Sequence, residues 1–397
     1  MNTDLQKKEV RLGRRWRSWI SFFRAVFAPA LNFKCDDYTL DTPFIVVSNH
    51  VTNWDPFFVG LNFPRNNIHF VAGEAIFKHG LLSKGMQFFV DPIPRRKAAN
   101  AADTVMRCMR TLRAGGNIGL FAEGETTWNG VTNRIVPSTG KLVRSSGAAL
   151  VTYRIEGGYF KLPRWSKKMR RIPVHAHVVG IYTPEQLKAM KPLEINALIE
   201  RDIYENAWER QRQERVVIPG DDRAVGIEKA LFLCPKCGGT DTLHGEGNRV
   251  RCSCGLDIEY TKLGFFDPPE PFETLLDWDR WQMEQLRERK TEPGQPMFSA
   301  PSMTLTRYDD GGKSGRVLGT GTLVQYPEAI ELAGTRFPLR EISDMAMFKA
   351  NRLLLSIGTD YYEIRSNRDC NMRKYLAVWK NERSSASGLM RNEECGI

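Results

Sequence analysis

Residues 44–56 read Phe-Ile-Val-Val-Ser-Asn-His-Val-Thr-Asn-Trp-Asp-Pro, and they predict a buried strand that runs into a polar turn and then into a helix. Phe44 to Val47 is a short apolar run rich in β-branched residues, which is typical of a parallel strand covered on both faces. Asp55-Pro56 predicts a helix start, with Asp55 as the capping residue and proline at the first helical position. His50 then lies just beyond the carboxyl end of a strand, where open α/β sheets bind ligands.

The turn after this strand brings an imidazole and a carboxylate within reach of each other. A carboxylate that holds a histidine fixes its tautomer and stabilises the imidazolium, so His50 and Asp55 fit a general base and its orienting partner. The alternative is a surface histidine beside a capping aspartate. Short motifs of this kind often arise by chance, and the pair alone leaves both interpretations open.

Two further stretches favour the catalytic interpretation. Gly116 to Thr126 reads as a short apolar strand that ends in Glu123-Gly124, and Gly85 to Asp91 leads into the basic cluster Arg95-Arg96-Lys97. At this point the chain resembles the glycerolipid (lysophosphatidate) acyltransferase family. The motifs of that family are Asn-His-x4-Asp, a hydrophobic strand leading to arginine, and Phe-Pro-Glu-Gly-Thr-Arg, in this order and at about this spacing. The resemblance covers roughly residues 40 to 180.

The resemblance implies roles for individual residues. His50 would take the proton from the acceptor hydroxyl, Asp55 would orient it, and Glu123-Gly124 would bind the acceptor. Arg95 or Arg96 would contact a phosphate, because a guanidinium offers paired donors to phosphate oxygens. Lys141 is a further candidate phosphate contact.

The chain departs from the family pattern at two positions. Thr126 stands where the family usually has arginine, and Asp91 stands where the second motif often has its arginine. Both losses weaken the case for a bare glycerol phosphate acceptor, and neither affects the His–Asp chemistry.

Short apolar strands alternate with helical stretches between Cys35 and Arg171. Strands are predicted at 68–72, 87–90, 118–121 and 150–155, a helix at 98–114, and a charged helical stretch at 185–215. This alternation predicts an α/β fold with an acyltransferase-type, mostly parallel sheet flanked by helices. A zinc ribbon and a small β-rich C-terminal module are expected to follow it.

Composition and charge limit the class of partner. The net charge of +11 over 397 residues favours a polyanionic partner, which could be anionic lipid, an acidic substrate or nucleic acid. No apolar stretch approaches the roughly 20 residues of a spanning helix, and no signal peptide is apparent. We therefore expect a peripheral protein on the cytoplasmic side of the cell membrane.

Two segments combine basic and aromatic residues. In 14–27, one helical face carries Trp16, Trp19, Ile20, Phe23, Val26 and Phe27, and arginines occupy the other. This pattern fits a helix lying in a membrane interface, and the alternative is a helix packed on its own domain. In 159–171, lysines and arginines alternate with Tyr159, Phe160 and Trp165, which suits lipid headgroups, RNA, the nucleotide of coenzyme A, or simply a solvated loop.

Four cysteines have the spacing of a metal site. Cys234 and Cys237 form one pair, Cys252 and Cys254 form the other, and fourteen residues separate the pairs. Two such pairs supply four thiolates to a tetrahedral ion, which predicts a structural Zn²⁺ ribbon with no open coordination position. His244, in the intervening loop, is expected to be a bystander.

The remaining sequence completes a five-part organisation. After a proline-rich linker at 268–271, a helix is expected over 272–290, then an antiparallel β module over 303–364 and a closing helix over 371–383. The module resembles pleckstrin-homology and related lipid-sensing barrels in topology only. The predicted parts are a membrane-interface helix (1–35), a catalytic domain (36–230), the ribbon (231–262), the linker helix with the β module (263–385) and a disordered tail (386–397).

The predicted function is transfer of a fatty acyl group from acyl-CoA or acyl carrier protein to the hydroxyl of a lysophospholipid. The acceptor that the resemblance implies is 1-acyl-glycerol-3-phosphate, in phospholipid biosynthesis, with no nucleic acid as partner. Two alternatives stay open: a zinc-ribbon protein that binds nucleic acid or lipid without transferase activity, and a thioesterase on the same fold.

Overall fold

The computed structural model describes residues 3–73, 90–95, 101–292, 294–308, 315–367 and 370–393, and the chain divides into two compact units, Met1–Gly220 and Asp221–Ile397. Residues 221–230, expected at the end of the catalytic domain, belong to the second unit. The reason is local hydrogen bonding: the Ala224 amide donates to the Gly247 carbonyl, and the Arg223 amide donates to Asn248 Oδ1.

The first unit is built on a six-stranded sheet in the order β3-β2-β4-β1-β5-β6. Its strands are β1 (Phe44–Ser48), β2 (Ile68–Gly73), β3 (Ile93–Arg95), β4 (Asn117–Phe121), β5 (Ala149–Glu156) and β6 (His175–Tyr182). All neighbours are parallel except β5 and β6. The predicted mostly parallel α/β sheet is therefore confirmed. The strand expected at 87–90 lies mostly outside the described residues, and β6 was not predicted.

The helices of this unit lie before, between and after the strands along the chain. They are α1 (Thr3–Ala30), α2 (Asp55–Leu61), α3 (Ala101–Arg113), α4 (Thr139–Ser146), α5 (Gly158–Lys161), α6 (Pro184–Ala189), α7 (Pro192–Ile203) and α8 (Ala207–Glu214). The helical stretch expected over 185–215 is thus three helices. Pro192 starts the second, and Asn206 starts the third by accepting hydrogen bonds from two backbone amides of its first turn.

Strand β1 lies at the centre of the unit, and all five of its residues are buried. It pairs with β4 on one side, Ser48 opposite Phe121, and with β5 on the other, Ser48 opposite Tyr153. The carboxyl ends of β1 and β4 therefore meet at one edge of the sheet. The residues that follow them form the candidate site.

Helix α1 packs on this unit along only part of its apolar stripe. Trp16 and Ile20 are buried, and Trp16 Nε1 donates to the Phe63 carbonyl at 3.0 Å. Their assignment to a membrane-facing surface is therefore wrong, because these two side chains fill the unit's own core. Trp19, Phe22 and Val26 stay exposed, at 46%, 55% and 46% of their surface. Among the described helices, none has both the length and the apolar character to cross a bilayer.

A buried histidine fastens the first turns of α1 to the sheet. His69 on β2 contacts Glu9 Oε2 through Nε2 at 2.8 Å and the Asp91 carbonyl through Nδ1 at 2.9 Å. The Asp91 carboxylate in turn pairs with Lys8 at 2.5 Å. Burial alone would lower the pKa of His69, but the Glu9 carboxylate and the Asp91 carbonyl outweigh it, and the pKa is raised.

The second unit contains two antiparallel sheets. Strands β7 (Leu243–Glu246), β8 (Arg249–Cys252), β9 (Asp257–Tyr260) and β10 (Phe266–Asp267) form the ribbon sheet. Helix α9 (Leu275–Glu288) follows it. The second sheet has the order β14-β13-β12-β11-β17-β16-β15 and comprises the strands β11 (Phe298–Tyr308), β12 (Gly315–Gln325), β13 (Ala329–Leu332), β14 (Thr335–Pro338), β15 (Asp344–Phe348), β16 (Arg352–Ile357) and β17 (Asp360–Ser366). The β-rich C-terminal module is confirmed.

The ribbon and the β module share one core. Phe232, just before the first cysteine pair, packs with the buried residues of the module, and Trp278 Nε1 of α9 donates to the Leu233 carbonyl at 2.9 Å. The buried Lys374 pairs with Asp241 of the ribbon. It lies on the closing helix, α10 (Arg373–Glu393). Because α10 continues to Glu393, residues 386–393 are helical and not the disordered tail we expected.

Candidate active site

The turn between β1 and α2 brings His50 and Asp55 into direct contact. His50 Nδ1 lies 2.8 Å from Asp55 Oδ2, and the aspartate is fully buried while the imidazole is 20% exposed. Because Nδ1 faces a carboxylate, it carries the proton, and Nε2 is left as the nitrogen that can accept one. This is the geometry of a general base.

Asp55 does not cap its helix as the sequence suggested. Its carboxylate is directed back to the turn, where Oδ2 accepts from the Val51 amide at 2.6 Å and the Thr52 amide at 3.0 Å. Oδ1 accepts from the Thr52 hydroxyl at 2.9 Å. Hydrogen bonds from the turn thus stabilise the buried carboxylate of Asp55, and they also fix the orientation in which it contacts His50.

The imidazole of His50 packs against aromatic rings of the sheet. The His50 ring stacks on Phe121, the last residue of β4, with centroids 4.3 Å apart. Phe121 in turn stacks on Phe70 of β2 at 5.8 Å. Gly119 makes room for this arrangement, since a Cβ there would lie 2.3 Å from the Phe70 ring. The orientation of the base therefore depends on packing within the sheet.

Glu123 lies beside His50 and is buried. Its Oε1 accepts from the His50 amide at 2.5 Å and its Oε2 accepts from the Asn133 amide at 2.6 Å. Burial raises the pKa of Glu123 to about 8, although both backbone donors act in the opposite direction. With both oxygens engaged by backbone amides, this carboxyl links the turn after β1 to the loop that follows β4.

A thioester carbonyl under attack would need hydrogen-bond donors for its oxyanion, but the backbone amides around the His50 turn and at Gly124 already have partners. The amide of His50 donates to Glu123, those of Val51 and Thr52 donate to Asp55, and that of Gly124 donates to the Phe121 carbonyl at 3.1 Å. In this conformation they hold the turn and the Glu123-Gly124 loop in shape.

Of the predicted phosphate contacts, Arg95 reaches the site. It ends β3, and its Nη1 would lie 3.9 Å from a Cβ at Gly124. Arg96 lies outside the described residues. Lys141 is exposed on α4, a helix that packs through Gly140 against Asn196 of α7.

An arginine that sequence reasoning missed occupies the neighbourhood of Thr126. Arg164 Nη1 donates to Glu125 Oε2 at 2.8 Å and to the Thr126 carbonyl at 2.9 Å, and its guanidinium covers the Trp128 ring at 4.3 Å. The next residue, Thr127, donates its amide to the His50 carbonyl at 2.9 Å. A guanidinium from elsewhere in the chain thus contacts the loop that contains Thr126.

The aromatic residues of 159–171 turn out to be structural. Tyr159, Phe160 and Trp165 are buried, and the Lys161 ammonium donates to the carbonyls of Arg170 and Ile172. Burial lowers the pKa of Lys161 to about 8. Only the composition of the segment pointed to Arg164, and its spacing gave no indication of where the side chain would lie.

In the second unit, the four ribbon cysteines converge on one point. Cys234 Sγ lies 3.7 Å from Cys254 Sγ, Cys237 Sγ lies 3.8 Å from Cys252 Sγ, and all four sulfurs fall within 4.8 Å of one another. Tetrahedral Zn–S bonds of about 2.3 Å place sulfurs roughly 3.8 Å apart, so the residues fit a metal ion. His244 is exposed on β7 and outside this group.

Comparison with known proteins agrees with the geometry. Residues 31–156 match the family model described as Acyltransferase, a segment that includes the His50 turn, Arg95 and Glu123-Gly124. No curated protein matches. One solved structure that matches is the 1-acyl-sn-glycerophosphate (LPA) acyltransferase PlsC from Thermotoga maritima, at 15% identity and a TM-score of 0.37, over 53% of this chain and 99% of that one. The expected similarity to acyltransferases is thus found for residues 31–156, which match the Acyltransferase family model.

Proposed function

We propose that this protein is a peripheral membrane enzyme that transfers a fatty acyl group from acyl-CoA or acyl carrier protein to the hydroxyl of a lysophospholipid, 1-acyl-glycerol-3-phosphate in the first instance. The observation that carries the proposal is the 2.8 Å contact of His50 Nδ1 with the buried Asp55 at the carboxyl end of β1. An acyltransferase domain and a poised general base together call for an alcohol that has to be deprotonated.

The reaction is a direct transfer. Nε2 of His50 takes the proton from the lysolipid hydroxyl as that oxygen attacks the thioester carbonyl, and Asp55 stabilises the imidazolium that forms. The tetrahedral intermediate then expels the thiolate, which takes the proton back from His50. An ester and a free thiol result, and no covalent enzyme intermediate is needed.

Arg95 is the residue we assign to the acceptor's phosphate. Its guanidinium lies next to Gly124, and Gly124 follows the carboxyl that holds the His50 amide. A phosphate bound there would keep the glycerol hydroxyl close to the base. Arg164 contacts the loop at Glu125 and Thr126, which supports a role in holding that loop in position.

The exposed side of α1 is the surface we assign to the membrane. Trp19, Phe22 and Val26 lie on one side of the helix and remain exposed while Trp16 and Ile20 hold it to the domain. Large apolar side chains on a basic amphipathic helix are characteristic of interfacial binding. We accordingly assign the enzyme to the cytoplasmic leaflet, where the anionic lipids are concentrated.

The ribbon is assigned a structural role with Zn²⁺. Four thiolates leave no coordination position for substrate, and the ion would tie together the two cysteine pairs that flank β7 and β8.

The test is labelled acyl-CoA offered to a panel of lysolipids that differ in headgroup, with identification of the product. Transfer to lysophosphatidate supports the proposal, whereas release of free fatty acid without transfer would make the protein a thioesterase.

Arg95→Ala then tests the phosphate assignment on soluble short-chain substrates, for which membrane attraction is irrelevant. We expect the KM for lysophosphatidate to rise about tenfold or more, as for loss of a charge-assisted hydrogen bond worth roughly 1.5–3 kcal/mol, with little change in the KM for the acyl donor. Arg65→Ala is the matched control, because Arg65 is exposed before β2, at the opposite edge of the sheet. An unchanged lysolipid KM in Arg95→Ala would remove that residue from the site.

A further inference from the structure

Three side chains converge on the last two strands of the first unit. Glu156 ends β5 and pairs in register with His175 at the start of β6, and His177 follows two residues later on the same face. Their ligand atoms all lie within 4.8 Å of one another. The group lies at the same edge of the sheet as the His50 turn, since the Asn49 side chain hydrogen-bonds both backbone groups of Ile155.

The contacts within this group leave one nitrogen unsatisfied. Oε2 of Glu156 lies 3.0 Å from His175 Nδ1 and 3.9 Å from His177 Nδ1, and the two imidazole rings stack with centroids 4.7 Å apart. His177 Nδ1 is buried and has no hydrogen-bond partner among the described residues. A buried nitrogen without a partner is costly, and here it faces a carboxylate oxygen across a gap too long for a hydrogen bond.

The other carboxylate oxygen of Glu156, Oε1, contacts an arginine. Arg210 Nη2 lies 2.6 Å from Glu156 Oε1, and the same guanidinium binds Glu205 at 2.8 Å and Glu214 at 2.7 Å. This contact orients Glu156 so that Oε2 faces the histidines, as a supporting residue does for a metal-binding carboxylate.

The charges around the group favour a cation. Arg154 lies 3.7 Å from Glu156 Oε1 and adds a second guanidinium to that of Arg210. The three carboxylates Glu156, Glu205 and Glu214 outnumber the two guanidiniums of Arg154 and Arg210 by one.

We propose that Glu156, His175 and His177 bind a divalent first-row transition-metal ion, with Zn²⁺ as the reference case. Two imidazole nitrogens and one carboxylate oxygen are a donor set that such ions prefer, whereas Mg²⁺ and Ca²⁺ prefer oxygen alone. Tetrahedral bonds of about 2.0–2.2 Å separate ligand atoms by roughly 3.3–3.5 Å, so the distances of 3.0 and 3.9 Å need only small adjustments. With His175 65% exposed, the remaining coordination position faces solvent. This site is independent of the ribbon and of the acyl transfer proposed above.

The test uses the full chain and Co²⁺ as a spectroscopic substitute for Zn²⁺. Cobalt held by the ribbon thiolates gives an intense near-ultraviolet charge-transfer band, and cobalt held by imidazole and carboxylate gives visible ligand-field bands without it. We expect wild-type protein to bind one more Co²⁺ per chain than the ribbon accounts for, with these visible bands. Zn²⁺ should displace it.

Two variants and a control separate the proposal from simple ion pairing. His177→Ala and Glu156→Gln should weaken binding of the additional ion by about tenfold or more, since even a supporting residue accounts for about 10–100-fold of metal affinity. His244→Ala, which removes an exposed histidine outside the group, should bind like wild type. Far-ultraviolet circular dichroism verifies that each variant is folded. Wild-type protein with no ion beyond the ribbon's, or folded His177→Ala with unchanged affinity, would overturn the proposal.

Discussion

Replacing Asp55 with asparagine tests the contribution of its negative charge to the proposed general base, His50. The amide oxygen can still accept from His50 Nδ1 and the Val51 amide, so the substitution is nearly isosteric. The imidazolium of the transition state loses a carboxylate whose Oδ2 lies 2.8 Å from Nδ1. Two unit charges about 4 Å apart at an effective dielectric of about 20 interact by about 4 kcal/mol. Each 1.36 kcal/mol is a factor of ten in rate, so kcat should fall by about 10²–10³-fold.

The same substitution has a structural cost that has to be measured separately. The asparagine NH₂ group has to face either the Thr52 hydroxyl or the donors now held by Oδ2, and a buried donor without a partner costs about 1–3 kcal/mol. Thermal unfolding establishes the temperature at which the variant is fully folded. Acyl transfer is then followed there by release of free thiol from acyl-CoA, with lysolipid at saturation.

A double-mutant cycle identifies how Asp55 acts. Because Asp55 works through His50, adding Asp55→Asn to His50→Ala should slow the enzyme no further than His50→Ala alone, which itself should lose about 10²–10⁴-fold. The reasoning fails if folded Asp55→Asn keeps kcat within about tenfold of wild type, or if the two effects multiply.

Three further predictions concern the surface, the ribbon and the buried histidine. A Trp19→Ser/Phe22→Ser variant should lose sedimentation with anionic vesicles, while Val10→Ser, an exposed apolar residue on another side of α1, should not; equal loss in both would refute the assignment. Zinc should co-purify with the protein, and its removal by a chelator should lower the melting temperature. Activity should fall only as the second unit unfolds. Activity that changes with the identity of the bound metal in folded protein would contradict a structural role. Because the pKa of His69 is raised in the folded state, protonated His69 stabilises the fold fully below its usual pKa of 6.5, and this contribution is lost as the pH rises through the folded-state pKa. Denaturant titrations from pH 6 upward should therefore show a decline in the free energy of unfolding, and Glu9→Gln should make that decline smaller. The same pH dependence in wild type and variant would exclude a stabilising His69–Glu9 contact.

The sequence predicted those parts of the fold that are determined by residues close together in the chain. The apolar run Phe44–Val47 forms the central strand because its β-branched residues suit only a site buried on both faces. The His50–Asp55 contact also follows from local spacing, since a single turn joins the two residues.

Features that depend on distant parts of the chain were missed. Arg164 reaches the Thr126 loop only because the sheet brings their segments together, and no spacing reveals that contact. Strand β6 is a half-exposed edge strand, so its pattern lacks the continuous apolar run of the parallel strands. In α1, the sequence does not distinguish Trp16 from Trp19; Trp16 is buried because it packs over Gly60 and donates to the Phe63 carbonyl, both distant in sequence.

That same contact between α1 and the domain has a consequence for the proposed reaction at a membrane surface. The Trp16 ring rests 3.6 Å from the position of a Cβ at Gly60, and Gly60 belongs to α2, the helix whose first residue is Asp55. Helix α1, with its exposed aromatic side chains, therefore packs directly on the short helix that carries Asp55. If α1 binds the membrane as proposed, this contact would fix the orientation of the His50–Asp55 pair relative to the bilayer, and the proposed lysolipid acceptor would approach His50 from one constant direction.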